Sequence, residues 1–189
     1  MKVTGIGNSK YMIDKGLRNL GYDSELISYP LEEDIQDDLV FIVYDGLHVE
    51  EFSEIQEHLN TRIIPIFVDV DRFIVLGEKK LKHVAGDVCI ECVVERFKSS
   101  FNSSMHETLF HMKSYSVVDY ILPEEFDIFL YQLIQRIEDD QVSGNILNYL
   151  LDYHALFNQK VPGYTKCSYC DMNQYDNQGL EMFIRKELV

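Results

Sequence analysis

Two pairs of cysteines have the residue type and the spacing that metal chemistry requires. The chain contains four cysteines, and all of them fall into two C-x-x-C clips, Cys89 with Cys92 and Cys167 with Cys170. Two clips together complete a tetrahedral set of four thiolate ligands, which zinc accepts readily. Because four thiolates leave no coordination position for water, the clips predict a structural zinc ion (Zn2+) rather than a catalytic one.

Three other chemistries of the clips stay open at this point. The thiols can be reduced and unliganded, or paired as disulfides, although we expect no signal peptide and cytosolic thiols stay reduced. A thioredoxin-like redox role requires a clip that opens a helix directly after a strand, a context that neither clip has. The long gap between the clips departs from a compact zinc ribbon, so we expect the metal to join two distant parts of one fold.

A glycine pair near the start of the chain is the second candidate site. Gly5 and Gly7 follow a short predicted strand, as in a dinucleotide loop whose backbone N–H groups and helix N-terminus hold phosphate. Lys10 stands where the third glycine of that motif belongs, and the segment 28–30 ends the next strand without a ribose-binding carboxylate. The pattern therefore favours a tight structural turn over a nucleotide site.

Composition limits the partners that the protein can bind. The length of 189 residues predicts one domain, and 46% hydrophobic residues suffice for a core. A formal net charge of -15 argues against nucleic acid and anionic lipid, because Lys and Arg are the residues that neutralise phosphates. No apolar run approaches the length of a membrane span. We therefore expect a cytoplasmic protein with neither a nucleic-acid nor a membrane partner.

Hydrophobic patterning predicts the elements that position these sites. A short strand and then the glycine turn are expected within residues 2–10, and further strands at 25–29, 39–44, 62–70 and 73–77. Helices are expected at 9–20 and 49–59. This alternation predicts a doubly wound α/β sheet with right-handed crossovers. Pro65 indicates that its strand is bent or lies at the edge of the sheet. Gly21 is at the position where a helix C-cap is expected.

The second half of the chain has a different pattern. The first clip is expected to enter a helix at 89–98, and a short helix is expected at 179–188. Pro123 begins the clearest amphipathic helix, whose stripe predicts either core or a homodimer face. Its members are Phe126, Phe129, Leu130, Leu133, Ile134 and Ile137. Residues 145–157 predict one strand or an antiparallel pair.

The order of these features resembles a known superfamily. A Rossmann-like half is followed by a glycine-containing loop leading into the first clip (residues 76–96), and then by a proline turn leading into the second clip (residues 154–170). This arrangement resembles the E1-like (ThiF-like) superfamily over nearly the whole chain. It is most similar to the ThiF-like partners of YcaO cyclodehydratases, which act in thiazole and oxazole peptide biosynthesis, including thiopeptides and bacteriocins.

The resemblance implies a fold and a metal site. The fold would be a truncated Rossmann-like E1/ThiF-type α/β sheet stapled by zinc, in a single domain of residues 1–189. Residues 1–80 would form the Rossmann-like half and residues 81–189 the zinc-stapled half. The family's paired thiolates carry over onto the four cysteines as zinc ligands. The family's ATP-binding residues do not carry over, so no catalytic or cofactor-binding residue is assigned beyond the zinc ligands.

The resemblance also implies a function. A nonadenylating member would be an adaptor rather than an enzyme, binding the leader of a ribosomal precursor peptide. It would present that peptide to a YcaO cyclodehydratase and to a flavin-dependent azoline dehydrogenase. The alternative is an active ThiF-like enzyme that adenylates the C-terminus of a peptide or carrier protein. A zinc-containing nucleic-acid binder is a third candidate, and the negative charge opposes it.

Overall fold

The computed structural model describes residues 1–30, 39–48, 51–52, 62–77, 79–80, 116–142 and 145–160. The strands are β1 (Lys2–Ile6), β2 (Glu25–Leu26), β3 (Leu39–Asp45), β4 (Arg62–Val68), β5 (Arg72–Val75), β6 (Lys79–Lys80), β7 (Asn145–Leu150) and β8 (Ala155–Lys160). The helices are α1 (Ser9–Asn19) and α2 (Pro123–Glu138), with a 3-10 turn at Leu151–Tyr153. None of the helices in these ranges combines the length and apolar character that crossing a bilayer demands.

Within these ranges the strands join one sheet in the order β2-β1-β3-β4-β5-β7-β8, and β6 also pairs with β4. The first four strands are parallel, as predicted, whereas β5, β6, β7 and β8 pair antiparallel. The predicted doubly wound pattern is therefore wrong for the second part of the sheet. The physical reason is loop length, because only residues 69–71 separate β4 from β5, and a parallel crossover needs about a dozen residues.

Both faces of the central strands are buried. Phe41 and Ile64 belong to the face that packs against α1 and α2, whereas Ile42 and Ile63 point to the opposite face, and all four are fully buried. Successive side chains alternate between faces, so a strand covered on both sides must be apolar at every position. This explains the continuous apolar runs of β3 and β4.

The prediction for α1 is confirmed within one residue at its C-terminal end. Gly21 has a φ of +88°, and its N–H donates to the carbonyl oxygen of Arg18 at 3.0 Å. The N–H of Tyr22 donates to the carbonyl oxygen of Leu17 at 3.0 Å. These two bonds form a Schellman motif, which satisfies the last carbonyls of the helix.

The stripe of α2 lies in the core. Its first five predicted members are buried, and Ile137 packs partly buried against them. The hydroxyl of Tyr22 donates to Glu138 Oε1 at 2.8 Å and so links the end of α1 to the end of α2. This hydrogen bond, together with burial, raises the pKa of Tyr22.

Three other expectations have clear outcomes. Strand β2 is shorter than predicted, because the Thr4 hydroxyl donates to the carbonyl of Ser28 at 3.0 Å beyond the last ladder position. Pro65 lies in the interior strand β4 rather than at an edge. The carbonyl oxygen of Pro65 accepts from the N–H of Leu76, which lies between β5 and β6. Proline has no N–H to donate to the ladder, and here that donor is absent where the pairing of β4 passes from β5 to β6. The antiparallel pair predicted at 145–157 is confirmed as β7 and β8.

Several predicted elements lie outside the described residues. They are most of the helix at 49–59, the helix at 89–98 and the helix at 179–188. The division of the chain at residue 80 stays a prediction.

Candidate functional site

Of the two sites predicted from sequence, the structure describes one. Cys89, Cys92, Cys167 and Cys170 lie outside the described residues, so the zinc site stays a prediction. Within the described ranges, no group of three or more His, Cys, Asp and Glu side chains is arranged to hold a metal ion. The glycine turn between β1 and α1 is fully described, and the candidate site is built around it.

Both glycines of this turn are required by the backbone. Gly5 has a φ of +136° and Gly7 a φ of +100°, which L side chains rarely adopt. A Cβ at Gly5 would overlap the backbone carbonyl of Val43, and a Cβ at Gly7 would overlap the side chain of Asp45. The turn is therefore tight because β3 and its terminal residue press directly against it.

Asp45 occupies the N-terminus of α1. Its Oδ2 accepts from the backbone N–H of Asn8 at 2.8 Å, and its Oδ1 accepts from the N–H of Ser9 at 3.0 Å. Only 1% of Asp45 is exposed. The first N–H groups of a helix have no partner within the helix, and the helix dipole favours negative charge there. The position at which such a turn can hold a phosphate is thus filled by a carboxylate of the chain itself.

The side chain of Lys10 lies directly beside this turn. Its ammonium donates to the carbonyl oxygen of Gly5 at 2.9 Å and lies 5.4 Å from the ring centroid of Tyr11. The residue that replaces the third glycine of a dinucleotide loop therefore folds back over the turn. In this position it stabilises the turn and gives the adjoining cavity one positive charge in its lining.

A cavity of about 510 Å³ opens at the carboxyl ends of β1 and β2. Its lining combines the glycine turn, Lys10 and Tyr11 with the segment from Leu26 to Tyr29. The carboxyl end of parallel strands is where α/β sheets place their ligands. The cavity is large enough for a small molecule or for a short length of peptide.

An aromatic cluster supports the floor of this region. Tyr44 stacks on Phe67 with ring centroids 5.2 Å apart and on His48 at 5.7 Å, and its hydroxyl lies 3.4 Å from that of Tyr29. Burial, followed by the neighbouring Tyr29 hydroxyl, raises the pKa of Tyr44 far above its usual range. Tyr44 is fully buried, so its side chain contributes packing to this region.

The far edge of the sheet offers a second surface. Glu125 on α2 accepts from the Tyr149 hydroxyl at 2.8 Å and contacts His154 Nδ1 at 2.8 Å, which fixes the β7–β8 hairpin against the helix. Burial and the bond to Glu125 raise the pKa of Tyr149. On this hairpin Tyr153 is 70% exposed and Phe157 is 49% exposed, with ring centroids 6.4 Å apart. Two neighbouring aromatic rings thus face solvent, one on β8 and one on the turn that precedes it.

Sequence reasoning found the glycine turn but missed the role of Asp45, which directly follows the strand predicted at 39–44. The available signal was an aspartate at the end of a fully apolar strand, beside another strand that ends in glycines. Reading that signal requires knowing that β1 and β3 are neighbours, which local patterns do not reveal. The exposed aromatic pair on the hairpin also carried no signal, because strands commonly contain aromatic residues.

Comparisons with known proteins identify the fold. No protein-family model matches the sequence, and no curated protein matches it. A chain of the E. coli microcin synthetase McbBCD complex superposes with a TM-score of 0.63 at 13% identity, over 88% of this chain and 67% of that chain. The same complex with pro-MccB17 bound gives 0.58 at 14% identity, over 89% and 69%.

A heterocyclase in complex with substrate and cofactor is also similar, with a TM-score of 0.62 at 12% identity. That match covers 94% of this chain but only 26% of the heterocyclase, so the chain corresponds to about a quarter of that protein. At these identities the likeness concerns the fold. The chain shares its α/β fold with parts of a microcin synthetase complex and of a heterocyclase, which is consistent with the predicted resemblance.

Proposed function

We propose that the chain is a non-catalytic, zinc-binding adaptor in the formation of thiazoles and oxazoles on a ribosomal precursor peptide. It binds the leader of that peptide and presents it to a YcaO cyclodehydratase, and then to an azoline dehydrogenase. The partners carry out the chemistry, and this chain supplies binding and position. The similar folds in a microcin synthetase and in a heterocyclase support a place in azoline biosynthesis.

The observation that carries the non-catalytic assignment is the carboxylate of Asp45 at the N-terminus of α1. A nucleotide phosphate at this position would have to displace a buried carboxylate that accepts two backbone N–H groups, or bind beside its negative charge. Both alternatives weaken ATP binding. Lys10 is committed to the carbonyl of Gly5 and offers little compensation.

The four cysteines fit a zinc ion by the chemistry of their donor set. Four thiolates satisfy zinc completely, and the ion would supply a structural cross-link between distant segments. Cys89 and Cys92 follow β6 in sequence, and Cys167 and Cys170 follow β8. The cross-link would therefore tie together segments that leave two strands of the same sheet.

The outer strand β8 is the surface on which we place the leader. It carries the exposed ring of Phe157, and the exposed ring of Tyr153 lies beside it on the preceding 3-10 turn. An extended peptide can add to a sheet edge through backbone hydrogen bonds. The segment 141–170 contains one acidic residue, Asp152, in a chain with 32 of them. An apolar and locally less negative edge suits a leader of either charge.

An adaptor of this kind acts through effective concentration, since tethering the leader holds the core peptide near the partner's active site. The test is calorimetry with leader peptide, followed by a cyclisation assay with the cyclodehydratase at low substrate concentration. We expect leader binding, a faster reaction with the adaptor, and about tenfold weaker leader binding by Phe157→Lys.

The matched control is Tyr120→Lys, which changes a residue that is 75% exposed but lies on the turn before α2. The adaptor function is wrong if the leader does not bind and the cyclodehydratase works equally well alone. If both variants weaken leader binding equally, the leader does not bind at β8, but the adaptor function still holds.

The cavity of about 510 Å³ beside the glycine turn favours a second candidate, an enzyme that adenylates a peptide C-terminus. Its position at the carboxyl ends of parallel strands is typical of nucleotide sites. This candidate predicts ATP–pyrophosphate exchange by the purified protein and a higher melting temperature in millimolar ATP. The adaptor predicts neither.

A further inference from the structure

The outward side of α2 carries apolar residues where an amphipathic helix ordinarily has polar ones. Glu124, Ile128, Tyr131, Gln135 and Glu138 recur at four- and three-residue spacing and form one line along the helix, here called the α2 outer face. Ile128 is 39% exposed and Tyr131 is 55% exposed, in the middle of this line. The core stripe of α2 lies on the opposite side, so the core does not account for these two residues.

The structure holds this face rigid. On one flank of α2, Gln132 donates to the carbonyl of His154 at 2.8 Å and accepts from the N–H of Leu156 at 2.9 Å. At the C-terminal end of the face itself, Glu138 accepts from the hydroxyl of Tyr22. Within the face, Gln135 donates to the Tyr131 hydroxyl at 2.9 Å and orients that ring. A surface fixed in this way loses little conformational entropy when a partner binds.

Charge decides which kind of partner fits. The apolar centre lies between Glu124 at one end of the face and Glu138, Asp139 and Asp140 at the other, and all four are exposed. The one base of α2, Arg136, is half-buried and donates to Gln141 at 2.9 Å. Pairing two copies of this face would bring like charges together with no base of α2 to offset them, in molecules that each carry -15. A cationic partner gains attraction at both ends.

We propose that the α2 outer face is a docking surface for a cationic amphipathic helix of a partner protein. Glu124 to Glu138 spans roughly 21 Å at the helical rise, so a helix of about four turns matches it. Apolar side chains of that helix would cover Ile128 and Tyr131, and Lys or Arg at its two ends would face the carboxylates. The site stands apart from the leader site on β8. Naming the cyclodehydratase as the owner of the helix rests on the proposed function.

Two synthetic helices test the chemistry of the face. Both have the same leucine stripe, and one carries Lys where the other carries Glu. We expect the Lys helix to bind and to lose about tenfold or more in affinity to the Ile128→Ser/Tyr131→Ser variant, with further loss as ionic strength rises from about 0.1 M to about 0.5 M. The control variant is Val70→Ser, at a position that is 49% exposed in the turn between β4 and β5. Binding of the Lys helix within about twofold of wild type to the double variant, or equal binding of the Glu helix, overturns the proposal.

Sedimentation and the cyclodehydratase separate the remaining outcomes. A stable dimer that dissociates in the double variant would assign the face to a second copy and overturn the proposal. A cyclodehydratase that binds wild type about tenfold more tightly than the double variant supports both the face and the adaptor function. Equal binding of wild type and variant keeps the adaptor function and rejects this face as its docking surface. If the cyclodehydratase binds neither protein, the adaptor function fails, and the helix experiment alone decides the face.

Discussion

At the scale of single residues, the molecule depends on one carboxylate that acts far from its place in the sequence. Asp45 closes β3, yet its two oxygens satisfy the first N–H groups of α1. The same contact leaves no room for a side chain at Gly7. One residue thus sets the conformation of the turn, caps the helix and fills the position at which an anion could bind.

We expect Asp45→Asn to lower the free energy of unfolding by about 1–2 kcal/mol. The amide nitrogen cannot accept a hydrogen bond, so one buried N–H of α1 loses its partner, and the charge at the helix N-terminus is lost. Urea denaturation measures the change, with Asp23→Asn, at an exposed position, as the control. An unchanged unfolding midpoint for Asp45→Asn would mean that the carboxylate does not cap the helix.

Local patterns predicted the residues of this turn but not their partner. Alternating glycines after a strand indicate positive φ, and both glycines have it. The contact between Asp45 and Ser9 joins residues that are distant in the chain, and it exists because β1 and β3 are adjacent in the sheet. Pairing of that kind is a property of the assembled fold, so residue types and spacing alone do not determine it.

At the scale of elements, the two helices share one surface of the sheet, and Gly16 sets how closely they approach. A Cβ at this position would overlap the Leu130 side chain and lie 3.1 Å from Asp127 Oδ1. Gly16 therefore serves packing, at a cost in helix propensity of about 1 kcal/mol relative to alanine.

A double-mutant cycle tests this contact. We expect Gly16→Ala to destabilise the wild-type protein by about 1–3 kcal/mol, because overpacking outweighs the gain in propensity. Leu130→Ala removes the obstructing side chain at its own cost of about 2–5 kcal/mol, and in that background Gly16→Ala should be neutral or stabilising. Lys15→Ala, at the exposed neighbouring position, is the control and should change little. Additive effects of Gly16→Ala and Leu130→Ala would contradict the contact.

The type of an element was predictable where a regular apolar spacing continued over many residues. In α2 this spacing, together with Pro123, predicted both the helix and its buried side. Strand ends were less predictable. Strand β2 stops early because the Thr4 hydroxyl takes over a backbone partner, and Pro65 is tolerated inside the sheet because the neighbouring strand is interrupted beside it. Both outcomes depend on a second segment of chain, which a single-segment pattern does not contain.

At the scale of the whole molecule, the sheet changes character along its width. Parallel strands lie on one side, with the glycine turn and the cavity at their carboxyl ends, and antiparallel strands lie on the other, with the exposed hairpin. This division separates the turn whose helix N-terminus is filled by Asp45 from the edge on which we propose that the leader binds. The sequence pattern changes between these two parts, but it did not predict strand direction, which the short loop after β4 decides.

The predicted zinc site is the feature that would affect the whole fold, and it provides the last prediction. We expect about one zinc per chain, bound by Cys89, Cys92, Cys167 and Cys170 with zinc–sulfur distances of about 2.3 Å. Cys89→Ser or Cys167→Ser should release the metal and lower the melting temperature sharply, because a ligand set assembled only in the native state contributes its binding energy to folding.

The position of the two clips in the sequence explains why we expect loss of zinc to destabilise the whole fold. One follows β6, which pairs with the interior strand β4, and the other follows β8, so losing the metal would loosen the segments that leave two parts of the sheet at once. Metal analysis, X-ray absorption and thermal unfolding with and without chelator measure the result. Ser168→Ala, inside the second clip but without a thiol, is the control and should keep its zinc and its melting temperature. The prediction of a structural zinc ion is wrong if the purified protein holds no zinc, or if its melting temperature is unchanged after chelation.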